Sequence, residues 1–136
     1  MATFIGTIAN ETITPTVVSA TVTRTPPGSL PSVADDSING GGGNDTIDSG
    51  DGNDTIHGYG AVFGGAGNDS LTAGGTVSGG AGNDTILLSA GDGGISISGD
   101  AGNDRIVYDT DYYPMALGDG TISGGEGDWR WVGHSG

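Results

Sequence analysis

Five aspartates, Asp36, Asp54, Asp69, Asp84 and Asp104, recur at intervals of 18, 15, 15 and 20 residues. Four of them end a Gly-Asn-Asp turn, and so does Asp45 between the first two. Glycine lets the backbone adopt positive φ and turn its carbonyls toward a shared point, which a side chain there would obstruct. A carboxylate at the end of such a turn adds charge to a set of neutral oxygens, the donor set that a hard divalent cation takes. Competing chemistries have less support. Carboxylate pairs could serve glycoside hydrolysis, but nearly all the well-placed acids belong to turns. The chain has no nucleophile elbow, no His-Glu-x-x-His motif and no histidine beside a serine nucleophile, and His57 and His134 stand alone. No enzymatic reaction is expected. A single Gly-Asn-Asp aspartate would be only a turn former, whereas five copies in register point to a ligand set.

The elements that carry these acids repeat with them. A glycine-rich hexamer ending in Asp, then a short strand with one aliphatic at its centre, returns at Gly6–Thr14, Pro31–Asn39, Gly40–Asp48, Ser49–His57, Gly64–Thr72, Gly79–Leu87, Gly99–Val107 and Gly124–Val132. A fixed internal period is read before anything else, because it decides the fold. The unit GGxGxDxUx, with U a large aliphatic, resembles the repeats-in-toxin (RTX) calcium-binding nonapeptide family. Five copies are near complete, while Glu11 replaces Asp in the first, Pro31 and Ser32 replace glycines in the second, and Trp129 stands at the Asp position of the last.

The resemblance implies an all-β fold, a parallel β-roll or β-solenoid with calcium stacked mainly along one edge, as a single domain over residues 1–136. Repeat starts fall at 31, 40, 49, 64, 79, 99 and 124, with the two intervals of 9 forming one 18-residue coil. One edge carries turns ending at Glu11, Asp36, Asp54, Asp69, Asp84, Asp104 and the Asp128/Trp129 region, which predicts about seven coils, or a rod of roughly 34 Å at about 4.8 Å per coil. Ile13, Ile38, Ile56, Leu71, Ile86, Ile106 and Trp131 are expected in one inward stack, with Ile47, Val62, Val77, Ile97 and Ile122 opposite. By resemblance each ion sits between successive turns of one edge and takes their aspartates and glycine-region carbonyls. That gives Asp36/Asp54, Asp54/Asp69, Asp69/Asp84 and Asp84/Asp104 as four principal sites, with Glu11/Asp36 and Asp104/Asp128 as further candidates. The carbonyl side falls on Gly50, Gly52, Gly64, Gly65, Gly67, Gly79, Gly80, Gly82, Gly99 and Gly102, and Asp45 closes the one full turn expected on the other edge. Four sites, each filled at 100 times its dissociation constant, would add about 2.7 kcal/mol apiece, on the order of 11 kcal/mol together.

Composition agrees with a fold that needs such help. Only 33% of the 136 residues are hydrophobic, 30 are glycine, and the net charge is −14, from 17 acids against three arginines. Little apolar burial therefore opposes the entropy of ordering the backbone, and the charge excludes nucleic acid as a natural partner. Bound divalent cations would answer both deficits. No apolar run is long enough to span a membrane, cysteine is absent, and Met1–Asn10 lacks the marks of a cleavable signal peptide. The resemblance implies an extracellular bacterial location, reached through an exporter that reads an uncleaved C-terminal signal, though no such signal is evident in the sequence. Asn10, Asn44, Asn53, Asn68 and Asn83 match a glycosylation sequon, but the repeat writes that pattern by itself.

Two outgrowths, 15–30 and 108–120, interrupt the terminal coils. The alternating Val17–Thr23 is expected as a strand, and Pro26, Pro27 and Gly28 as a turn. Repeat grammar runs from residue 6 to 132 with no capping element in view, and Tyr112, Tyr113, Trp129 and Trp131 gather near the end as an interface or a makeshift cap. Bare ends predict head-to-tail stacking into a fibre or surface assembly, with Glu11 and Asp128 sharing an ion. A calcium-gated folding or secretion module and a calcium-dependent adhesion module are the alternatives.

Overall fold

A strand of three or four residues that turns one aliphatic inward cannot bury it alone; it needs a strand above, a strand below and a second layer facing it. The computed structural model describes residues 1–89, 95–108, 121–127 and 130–133, the last four and Tyr108 by their backbone only. Among them are twelve strands and no helix, wound as a parallel β-solenoid.

The first face stacks β1 (Thr3–Ile5), β4 (Ser37–Asn39), β6 (Thr55–Ala66), β7 (Ser70–Ala81), β8 (Thr85–Leu88), β10 (Arg105–Tyr108) and β12 (Arg130–Gly133), every pair parallel. The second stacks β2 (Thr12–Ile13), β5 (Asp45–Asp48), the far halves of β6 and β7, β9 (Ser96–Ala101) and β11 (Thr121–Ser123). The two twelve-residue strands pass from one face to the other. At its corner β6 presses against the backbone of Asp45, and Gly60, with φ of 111°, leaves room for that approach.

Register places Phe4, Ile38, Ile56, Leu71, Ile86 and Ile106 in one column, all buried, with the backbone of Trp131 aligned beyond them. Ile13, Ile47, Val62, Val77 and Ile97 form the other, continued by the half-buried Ile122. One expectation fails here. Ile13 does not head the column of Ile38; Phe4 does, and Ile13 pairs with Ile47 on the opposite face. The cause is β1, which takes the first-face place, so the next turn falls on the second edge and the strand after it on the second face.

The outgrowth at 15–30 also departs from expectation. Its strand is β3 (Thr23–Thr25), beyond most of the alternating segment, and it runs antiparallel to β1 in the register Phe4↔Arg24. Val18 bridges Ile13 in the same sense, and Ser19 receives the Thr12 amide on its hydroxyl and donates its own to the Thr12 carbonyl. The outgrowth therefore covers the first coil on both faces, and that end is not bare. Tyr112, Tyr113, Asp128 and Trp129 lie outside the described residues.

The columns predict a contrast between neighbouring leucines. Leu71 is 1% exposed at mid-column, whereas Leu87 is 39% exposed on the outer surface of β8. Leu71→Ala should lower the unfolding free energy by about 2–5 kcal/mol, and Leu87→Ala should stay within about 0.5 kcal/mol. Urea unfolding of both variants in calcium, followed by circular dichroism, checks this.

Candidate metal centre

The turns that join second face to first face define one edge, at 31–36, 49–54, 64–69, 79–84 and 99–104. Their aspartates are almost wholly buried, and they interlock. The amide of Asp36 donates to Asp54 Oδ1 at 2.6 Å, Asp54 to Asp69 at 2.8 Å, Asp69 to Asp84 at 2.8 Å and Asp84 to Asp104 at 2.9 Å. Each carboxylate thus spends one oxygen on the coil before it. The other oxygen, Oδ2, has no hydrogen-bond partner in Asp69, Asp84 and Asp104, nor in Asp45 of the second edge, whereas at Asp54, where burial raises the carboxyl, the Ser49 hydroxyl beside it works against that rise. Buried polar atoms are normally satisfied, and an orphaned one calls for an ion, a water or a function.

The glycine that opens each turn shows where that oxygen is directed. A β-carbon at Gly64 would overlap Asp69 Oδ2 and the carbonyl oxygen of Gly79. At Gly79 it would meet Asp84 Oδ2 and the carbonyl of Gly99, and at Gly99, Asp104 Oδ2 and the carbonyl of Gly124. Three cradles therefore repeat between successive turns, each with a carboxylate oxygen of one coil facing a carbonyl of the next. No group of three His, Asp or Glu side chains converges among the described residues, so a cation held here draws most of its ligands from the backbone. Oxygen donors of mixed charge in a loose cradle suit calcium.

The turns hold this shape through left-handed glycines. Gly65 (φ 99°) and Gly80 (φ 106°) are in register, as are the turn glycines Gly67 and Gly82, whose β-carbons would strike the carbonyl oxygens of Gly52 and Gly67 respectively. The same register position in the next coil is Asp100, at φ 68°. Its carboxylate accepts the hydroxyls of Ser98, at 2.6 Å, and Ser78, and its charge opposes ionisation of both Asp84 and Asp104. Sequence reasoning passed over this residue, although it is the one non-glycine at that place among the Gly-Asn-Asp turns.

The asparagines, noted in the sequence only as sequon matches, have a hydrogen-bonding role that spacing did not reveal. Asn53 Oδ1 accepts the Asn68 amide, Asn68 that of Asn83 and Asn83 that of Asn103, at 2.7 to 2.8 Å, while Asp35 does the same for Asn53. The Asn ladder ties each coil to the one after it, and the Asp ladder ties each to the one before.

Not every acidic turn carries an orphan. Asp36 accepts the Ala2 amide on Oδ1 and the Ser32 amide on Oδ2, so the turn that opens with Pro31 satisfies its own carboxylate. Ala2, not Glu11, is its neighbour. Glu11 lies on the second edge, where its amide donates to Asp45 Oδ1 at 3.0 Å. The expected Glu11/Asp36 pair does not form, and the second edge carries two stacked turns, 6–11 and 40–45, rather than one. Glu11 itself receives the Thr7 amide and hydroxyl. Burial pushes its carboxyl up, but hydrogen bonds from Thr21 and Thr7 outweigh this and leave it below its ordinary value. The Asp104/Asp128 pair extends beyond the described residues, although the bridge between Ala101 and Glu126 continues the stack that far.

The RTX calcium-binding nonapeptide repeat matches this chain in four copies, at residues 33–60, 61–75, 76–95 and 96–111, more than half of its length. The chain belongs to the RTX calcium-binding repeat family. Comparison with curated proteins gives no match, and neither does comparison with solved structures. Family membership implies calcium binding, and the cradles of this RTX chain have the oxygens for it.

Burial, the largest influence, pushes the carboxyls of Asp69 and Asp84 up to about 6 from an ordinary 3.8. A raised folded-state value means that the metal-free fold binds protons more tightly than the unfolded chain. The stability this confers is full below pH 3.8 and lost as pH rises through about 6. The metal-free chain should therefore gain β structure on acidification from pH 7.5 to 4.5, while the calcium needed for half-saturation rises over the same interval. Circular dichroism in chelator and calcium titrations at both pH values measure the two effects.

Proposed function

We propose that calcium drives the folding of this chain, which acts as a calcium-gated structural module. The observation that carries the reading is the column of buried carboxylate oxygens without a donor, Asp69, Asp84 and Asp104, each facing a carbonyl of the next coil across a glycine. Without a cation these oxygens repel one another in a site withdrawn from water; with one they join adjacent coils. A net charge of −14 adds to the penalty in the metal-free state. Such a chain suits export in an unfolded form through a calcium-poor cytosol and folding outside the cell, the setting that the RTX resemblance implies. No helix among the described residues is long and apolar enough to cross a membrane.

End-to-end assembly is the second reading. In its favour, β12 ends the first-face sheet among the described residues with one side of its backbone unpaired. Against it, β3 runs antiparallel across the other end, followed by Pro26 and Pro27. Charge and proline on an edge strand discourage further pairing, and Arg24 of β3 supplies the charge. A folding module is therefore the better supported of the two.

A calcium titration of the chelator-treated chain, followed by circular dichroism and sedimentation velocity, tests both. Expected is a cooperative gain of β signal that magnesium does not reproduce, with the folded species sedimenting as a compact monomer. A chain already folded in chelator, with no stabilisation by calcium, would overturn the proposal. Concentration-dependent growth of a uniform rod would move the assembly reading ahead.

A further inference from the structure

The turn at 49–54 has the same Gly-Asn-Asp ending as its neighbours, but it opens with Ser49 where they open with Gly64, Gly79 and Gly99. Ser49 is fully buried, and its Oγ donates to the carbonyl oxygen of Gly64 at 2.5 Å. That carbonyl is the counterpart, one coil earlier, of the Gly79, Gly99 and Gly124 carbonyls that face the three cradles. The hydroxyl therefore satisfies the oxygen that a cation would take, and the side chain fills the space that the missing β-carbons of the other turns leave open.

Resting on the calcium reading above, we propose that Ser49 takes the place of an ion between turns 49–54 and 64–69, so that the first residue of each nonapeptide decides whether its coil junction is joined by calcium or by the protein itself. Two neighbouring features agree. At the junction before it, where Pro31 opens the turn, the carboxylate of Asp36 is satisfied by two backbone amides. Neither Ser49 nor Gly79 has the positive φ that would bar a side chain, so a serine at 79 is free of backbone strain of that kind and has only to push aside Asp84 Oδ2 and the Gly99 carbonyl, the oxygens of the cradle it would fill. The roll accordingly divides. Along this edge the junctions before Gly64 close without metal and those from Gly64 onward depend on it, while Asp45 Oδ2 of the second edge stays without a donor. The metal-independent end would give calcium-driven folding a place to start.

Calcium stoichiometry of the full chain tests this, measured by equilibrium dialysis with elemental analysis and by calorimetric titration. Ser49→Gly, which opens a cradle, should bind one ion more per chain than the parent. Gly79→Ser, which fills one, should bind one fewer. Ser49→Ala removes the hydroxyl without clearing the space and should bind the parent number, while losing thermal stability in chelator relative to the parent. Circular dichroism in saturating calcium verifies that each variant is folded. An unchanged count in Ser49→Gly would overturn the assignment. So would the loss of one ion in Ser49→Ala, which would make the hydroxyl a calcium ligand instead. Failure of the parent to bind calcium at all would overturn the calcium reading itself, so the two failures are distinguishable.

Discussion

A carboxylate oxygen buried without a donor is the constraint around which this roll is built. Leaving a buried polar group unpaired costs about 1–3 kcal/mol, and more when it is charged. Here that situation repeats along one edge at Asp69, Asp84 and Asp104, each facing a carbonyl of the next coil, and occurs on the other edge at Asp45. Coils that each turn inward one aliphatic per face have little to set against such a cost, which makes the turns the decisive element of the fold. Their chemistry converts a liability into a junction: the same oxygen that destabilises a metal-free coil faces a carbonyl of the next one and can share a cation with it.

The bonds that require no metal are arranged with equal regularity, and they run in two directions. Within Gly-Asn-Asp, the asparagine side chain accepts an amide from the following coil and the aspartate side chain accepts one from the preceding coil. Adjacent residues thus bind a coil to both neighbours, alongside the parallel backbone ladder. Removing an aspartate would leave a buried amide unsatisfied in the preceding coil, whereas removing an asparagine would free an exposed amide of the following one to solvent. A solenoid whose units satisfy each other's donors gains stability through its interfaces, and its units have little stability alone.

Most of the repeat geometry was legible in the sequence because it is periodic: from Ile38 to Ile106 the inward columns follow from spacing alone. What was not legible has a common cause. Repeat grammar marks a turn without marking its edge, and the edge depends on how many strands precede it. The three residues of β1 carry no glycine signature, yet Phe4 occupies a first-face place and so moves the turn at 6–11, with Glu11 and Ile13, to the opposite side. Likewise the alternation of Val17–Thr23 signals extended chain but not its direction, and an antiparallel return across β1 and β2 has no counterpart in the repeat. At the site, the aspartates and glycines were legible as ligands. The hydrogen-bonding role of the asparagines and the plugging serine were not, since both became visible only when adjacent coils were set in register.

The first coil is closed for the same physical reason that the coil junctions are. A parallel coil leaves a row of backbone groups and one layer of apolar side chains facing outward, and either another coil or a foreign segment must cover them. At the first coil the chain supplies that segment itself: β3 lies antiparallel on β1 and Val18 bridges Ile13, and Val22 is buried beneath them. The cap is antiparallel and is followed by Pro26 and Pro27, features that discourage a further strand from pairing at an edge. It ties down the same end where the carboxylates of Glu11 and Asp36 are satisfied by protein donors. Along the edge of Asp36, capping and carboxylate satisfaction by protein donors coincide at the first coil, whereas the turns whose unpartnered Oδ2 faces a carbonyl of the next coil, those of Asp69, Asp84 and Asp104, lie beyond it.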